Sequence, residues 1–241
     1  FINVTFSKCK IENMNHIVDS DTYMQNIRVN ECLITGGSGD LFRGAGFYGL
    51  FLKGNTIEHR TNGFVINQID TESTEYNKAF FIDVVDNLIE GFTDGGIAQL
   101  YRVNKVNISN NYFENMVKNI MLFTKSNRGA LSVNNNRVFV GKGFEDYFNK
   151  GLVNVYSNQY PSIELNSNMI ENCYLIYVST GYEFSAASKI TMYGNNAVNT
   201  NTVGNLTQNG NGTNLLINRV PLRMLATDNA VNKYDRNIVL L

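Results

Sequence analysis

Two prolines, Pro161 and Pro221, are too few to punctuate a chain of 241 residues, so its turns must be made by other residue types. Three cysteines exclude a disulfide framework, because the number is odd and the chain is far larger than the small secreted domains that need one. Lys and Arg total 20 against 21 for Asp and Glu, and charged residues make up only 17%. Such a balance implies no basic face of the sort that tracks nucleic-acid phosphates. No apolar run approaches the ~20 residues of a membrane-spanning helix, and no signal-peptide pattern opens the chain. Gly-rich phosphate loops and His/Cys metal-ligand spacings are missing too. The two histidines, His16 and His59, read as structural or solvated. No cofactor and no metal are expected.

Asparagine fills the gap, at about one residue in six. Asn tolerates the left-handed backbone region and bonds through its amide, so an Asn-rich chain is rich in turns. Much of this Asn belongs to one phrase, apolar-x-apolar-x-x-(Asn or Cys)-x-apolar, which occurs eight times. It runs from Val4-x-Phe6-x-x-Cys9-x-Ile11 through Leu50-x-Leu52-x-x-Asn55-x-Ile57 to a weakened copy, Ile190-x-Met192-x-x-Asn195-x-Ala197. The Asn/Cys markers fall at 9, 32, 55, 87, 111, 136, 168 and 195, in steps of 23, 23, 32, 24, 25, 32 and 27. A basal period near 23 with longer steps describes stacked coils carrying loop insertions. Within each copy the residues five and three places before the marker alternate as in a strand, facing inward. A second apolar segment follows in most copies, such as Gly63-Phe64-Val65-Ile66 and Tyr174-Leu175-Ile176-Tyr177-Val178. Two or three short strands per coil, each pairing in parallel with its equivalents, predict an all-β fold: a right-handed parallel β-helix of about eight coils with a C-terminal cap or tail. A leucine-rich repeat would need a helix-length segment per copy, and these interruptions are too short and too rich in Asn and Gly.

The β-helix is expected over residues 1–198, with 199–241 forming a linker and a C-terminal cap or oligomerisation segment. Because Phe1–Phe6 already reads as a strand, the chain is expected to be a portion of a longer protein. Cys9 and Cys32 share the marker position one copy apart, ~4.8 Å at the strand spacing, within bridging range. The preferred reading is that each is a small buried apolar residue in an Asn slot.

The phrase resembles the coils of the pectate-lyase-like right-handed β-helix superfamily, which includes bacteriophage tailspike proteins, over about residues 1–199. The resemblance implies that Asn55, Asn87, Asn111, Asn136, Asn168 and Asn195 form an Asn ladder at the bend after one sheet. It also implies a homotrimeric, virion-borne tailspike or tail fibre that recognises, and can depolymerise, a bacterial surface polysaccharide. A monomeric secreted polysaccharide lyase or hydrolase, and a non-catalytic adhesin stalk, are the alternatives. Pectinase motifs are lacking: there is no Trp, and no Gly-His-Gly. Arg219-Val220-Pro221-Leu222-Arg223 is one residue short of the pectate-lyase Arg-x-Pro-x-x-Arg pattern and lies past the last coil.

Glycosidic cleavage usually uses two carboxylates. Four places before each marker, on the outer face of the first sheet, stand Thr5, Arg28, Phe51, Asp83, Asn107, Ser132, Glu164 and Thr191. Asp83 is a catalytic candidate, but Glu164 is three coils away, ~14 Å at the strand spacing, beyond the ~5–9.5 Å that glycosidases use. Glu12, Glu58, Glu90, Glu114 and Glu171, each three residues after a marker, read as solvated turn residues. Two insertions offer further candidates, since loops on a rigid scaffold carry binding groups. The segment 141–150 supplies Glu145 and Asp146 as acids with Tyr147 and Phe148 as stacking surface, and 67–76 supplies Tyr76 for substrate binding. Met121-Leu122-Phe123, Leu152-Val153 and Tyr174–Tyr177 are apolar on both faces, which suggests an outer stripe covered either by partner subunits or by the chain's own insertions.

Overall fold

In the computed structural model the described residues are 2–70, 79–123, 129–140, 151–156, 162–171, 173–178, 190–198, 203–204, 215–217 and 238–240. They are all-β, with no helix, and their strands pair in parallel, each with its equivalent one repeat away. The arrangement is compatible with a β-helix.

Three stacks of strands result. In the first, Val4, Ile27, Leu50, Ile82, Val106, Leu131, Ile163 and Ile190 follow one another in register. Phe6, Val29, Leu52, Val84, Ile108, Val133, Leu165 and Met192 form a parallel row two residues on. The same pairing continues through Leu215–Ile217 and Ile238–Leu240. In the second stack, Ile11, Ile34, Ile57, Ile89, Phe113, Val138 and Ile170 line up two places after each marker. The third aligns Phe42, Ile66, Ala98, Ile120, Val153 and Ile176. From Ile27 to Ile176 these inward rows are buried, as is Met192, and they merge into one core. Each such aliphatic side chain contributes about 1.5–3 kcal/mol on burial, so the rows rather than any local propensity hold the coils together.

Between the first and second stacks the chain must bend without stranding its amides. The residue before each marker takes a left-handed backbone: Lys8, Glu31, Gly54, Asp86, Asn110, Asn135, Ser167 and Gly194, with φ between 54° and 66°. Its N–H donates to a carbonyl of the next coil, as from Asp86 to Ser109 and from Asn110 to Asn134. The marker's own N–H donates to the amide oxygen of the next marker: Asn55 to Asn87, Asn87 to Asn111 and Asn111 to Asn136, at 2.9–3.0 Å. Asn136 to Asn168 and Asn168 to Asn195 complete the series. Each amide nitrogen donates to that same oxygen and back to a strand carbonyl of the preceding coil, as Asn111 does to Asn136 and to Val84. All six asparagines are buried and superposed, so the ladder expected at this bend is present. Cys32 closes its upper end: its N–H donates to Asn55, and its sulfur accepts the N–H of Cys9 at 3.4 Å. Both are free thiols; Cys32 is buried, in line with the small-apolar reading, whereas Cys9 is half-exposed.

Elsewhere the third stack differs from the expected open stripe. Met121, Leu152 and Leu175 are buried in the single chain, and even Asn154 on the same strands is fully enclosed. Its amide turns onto the backbone, accepting from Gly151 N–H and donating to Gly151 O. Among the described residues of this sheet, no run of apolar side chains is left for another subunit to cover.

At the corner leading into the third stack, Arg60 is buried with 1% exposure. Its two terminal nitrogens donate to four carbonyls of the coils before it, those of Met14 and Gly36 and those of Asn15 and Gly39, at 2.7–3.1 Å. Burial lowers its pKa, partly offset by the charge of Asp40. The coils approach closely there: a Cβ on Gly95 would lie 1.9 Å from the Gly63 carbonyl oxygen, so only glycine fits.

Candidate functional site

The outer face of the first sheet gathers the most varied chemistry among the described residues. Because every side chain in a row is one strand spacing from the next, the alternation that sends Leu50 and Ile82 inward sends their neighbours outward in register. Arg28, Phe51, Asp83, Asn107, Ser132, Glu164 and Thr191 thereby form one continuous row along the stack. A flanking position two residues earlier contributes Phe81 and Lys105.

These side chains touch across the rows. The Phe51 and Phe81 ring centroids are 5.3 Å apart with the rings tilted at 41°. The Arg28 guanidinium lies 4.2 Å from the Phe51 centroid, and the Lys105 ammonium 5.2 Å from that of Phe81. Cations at such distances are held by the ring quadrupole, at about 0.5–1 kcal/mol when exposed. Arg28 is steadied further by an Nε hydrogen bond to Asn26 Oδ1 at 3.1 Å. Among the described residues neither Arg28 nor Lys105 forms an ion pair. Asp83 accepts from Asn107 Nδ2 at 2.6 Å, and Asn107 also donates to Ser109 Oγ at 3.2 Å. Two aromatic rings, two cations, a carboxylate and an amide thus lie on one face of the sheet. Each ring packs against a cation and against the other ring, so the arrangement offers a ligand ring edges beside groups that bond hydroxyl or carboxylate. On the same edge, Tyr48 stacks on Phe80 at 4.6 Å and meets Tyr23 edge-on at 5.4 Å.

Of the candidates drawn from the sequence, Asp83 is therefore on this surface. Glu164 is three strands from it in the same row and is engaged by Ser132 Oγ at 3.2 Å and by the Asn166 amide. The two carboxylates are not brought together as a pair. Glu145, Asp146, Tyr147, Phe148 and Tyr76 lie outside the described residues. Phe81 and Lys105 were not singled out in the sequence, although they stand six places before their markers and could have been found by extending the alternation one step upstream.

A second aromatic series follows the third stack. Tyr101, Phe123 and Tyr156 pile up with centroids 5.4 and 4.9 Å apart and interplanar angles of 22° and 16°. Their faces are spent on one another, and the Tyr101 pKa is raised by burial and by Asp70. This series stabilises successive coils and offers little to a ligand. No family model matches the chain, and no curated protein or solved structure matches it.

Proposed function

We propose that this chain is a right-handed parallel β-helix of the tailspike kind, a receptor-binding protein that recognises a bacterial surface polysaccharide along the outer face of its first sheet. The observation that carries the reading is the in-register group Arg28, Phe51, Phe81, Asp83, Lys105 and Asn107. Saccharide sites combine apolar or aromatic platforms with a few fixed polar groups. Here the platform is built on strands, so binding would order little that is not already ordered. An extended face of repeated rows also suits a polymer better than a small metabolite.

Recognition is the better-supported half of this reading. Cleavage would need a second carboxylate near Asp83, and Glu145 and Asp146 are the residues proposed for it. The homotrimer and the virion location rest on the tailspike resemblance, since Met121, Leu152 and Leu175 of the third stack are buried within one chain.

The test is binding of the purified protein to a panel of bacterial capsular and lipopolysaccharide glycans, with Phe51→Ala and Arg28→Ala alongside. Each substitution should weaken binding by about tenfold, equivalent to ~1.4 kcal/mol, with far-UV circular dichroism unchanged. Binding to none of the glycans, or binding indifferent to both substitutions, would refute the assignment of this face. Release of reducing ends or unsaturated uronates from a bound glycan would add cleavage to recognition.

A further inference from the structure

Glu58, His59 and Glu90 bring their ligand atoms within 4.8 Å of one another at the bend after the second stack. We propose that these three side chains form a site for a first-row divalent cation of the Zn²⁺ type, clipping the third coil to the fourth. The inference is independent of the glycan reading and concerns a different face of the stack.

Position in the repeat explains how the cluster arises. Ile57 pairs with Ile89, so Glu58 and Glu90, each three residues after a marker, follow one another in the column. Like charges on adjacent strands repel, and two other glutamates of this column, one of them next to Glu90, have protein partners. Glu12 is paired with Lys10 at 2.8 Å, and Glu114 accepts from the Tyr112 hydroxyl at 2.8 Å and from Asn115 Nδ2. Among the described residues no hydrogen bond or ion pair engages the side chains of Glu58, His59 or Glu90. What these two carboxylates have instead is an imidazole. It makes the group a mixed nitrogen and oxygen donor set, which hard oxygen-seeking cations do not need and Zn²⁺, Co²⁺ or Ni²⁺ favour.

The position that carries the imidazole is otherwise filled for backbone reasons. In successive coils it holds Asn13, Gly36, His59, Gly91 and Asn115, all with φ between 53° and 69°. Glycine and asparagine are the usual residues of that region. Gly91 places no side chain over the ring: a Cβ there would stand 3.6 Å from His59 Nδ1. The ring nitrogen is thus open toward the coil that supplies Glu90. Donors bound at 2.0–2.2 Å to one ion are at most about 4.4 Å apart, a separation that small rotations of these half-exposed and exposed side chains reach. Three protein ligands leave the remaining coordination to water.

The experiment uses the whole chain, freed of metal by chelator and dialysis. Zn²⁺ is titrated calorimetrically, Co²⁺ is followed by its visible absorption, and thermal unfolding is recorded with and without Zn²⁺. The variants are Glu90→Gln and His59→Asn, the latter keeping a residue that the left-handed position accepts in two other coils. The expected result is one saturable site, a rise in melting temperature with Zn²⁺, and a loss of affinity of about tenfold or more in each variant. Without metal both variants should melt at or above the wild-type temperature, because each relieves repulsion or backbone strain. Absence of saturable binding in the wild type overturns the proposal. So does binding that survives both substitutions, as it would if Cys9 and Cys32 were the ligands.

Discussion

Replacing Asn111 by alanine should destabilise the protein more than almost any other single polar substitution. The side chain is buried in the middle of the ladder. Its oxygen accepts from both the backbone N–H and the amide of Asn87, and its nitrogen donates to Val84 O, Ser109 O and Asn136 Oδ1. In Asn111→Ala, Asn136 Oδ1 keeps the backbone N–H of residue 111, and the Asn87 amide keeps Leu52 O and Val85 O. What is orphaned is the buried Asn87 N–H, with Val84 O losing one donor. At about 1–3 kcal/mol for a buried group left without its partner, the loss should come to about 2–5 kcal/mol. Equilibrium denaturation in guanidinium, followed by far-UV circular dichroism, measures it against the exposed control Asn104→Ala, which should lie within about 0.5 kcal/mol of wild type. Asn111→Asp sharpens the test. Its carboxylate would face the oxygens of Val84, Ser109 and Asn136, and only the protonated acid can donate to one of them. Its deficit should therefore be larger at pH 7 than at pH 4. A cost below about 1 kcal/mol for the alanine variant, or a pH-independent deficit for the aspartate, would refute the view that the ladder satisfies the bend.

Arg60→Met should fill the guanidinium's volume yet leave the carbonyls of residues 14, 15, 36 and 39 without their donor, costing about 3 kcal/mol or more by the same denaturation assay. Gly95→Ala should fail to express as a soluble protein or lose several degrees of melting temperature, because backbone rather than a movable side chain blocks the new Cβ. Burial pushes the Cys173 thiol up to about 12, so at pH 8 an aromatic disulfide reagent should leave it unmodified until the protein is unfolded, whereas half-exposed Cys9 reacts in the native state. The sign of the linkage follows: the folded thiol holds its proton while the unfolded one releases it near the ordinary value of 9, so Cys173 costs stability as pH rises above 9. Substitution of Cys173 by alanine should flatten that alkaline decline.

Much of the architecture was legible because stacking makes sequence period and spatial register the same thing. Aligning the markers placed Ile27 against Leu50 and Ile82, and Asn55 against Asn87, before any coordinate was needed. The same alignment set Asp83 three strands from Glu164 and thereby separated them as catalytic partners. Other features depend on contacts that the repeat does not encode. Glu58 and Glu90 share a marker offset, but a step of 32 residues separates their coils, and each looked like an ordinary solvated turn residue. Leu215–Ile217 continue the first stack although the phrase fails there, since Val220 stands in the slot an asparagine would take. Arg60 left no trace at all, because its role comes from carbonyls turned toward it by two earlier coils. The third-stack segments read as apolar on both faces, but a strand's composition cannot say whether its own chain or another molecule covers the outer one.

The left-handed residue that precedes every marker has one more implication. Lys8, Glu31, Asp86 and Ser167 adopt it as readily as Gly54 and Gly194, so the corner is imposed by the stacked neighbours above and below rather than chosen by the local chain. A corner of that kind can be copied. Duplicating or deleting one 23-residue unit, such as that from Cys32 to Gly54, would present the same donors and acceptors to the coils on either side. The molecule's length should accordingly change in whole steps of about 4.8 Å, which gives an evolving lineage a ruler it can extend without redesigning any joint.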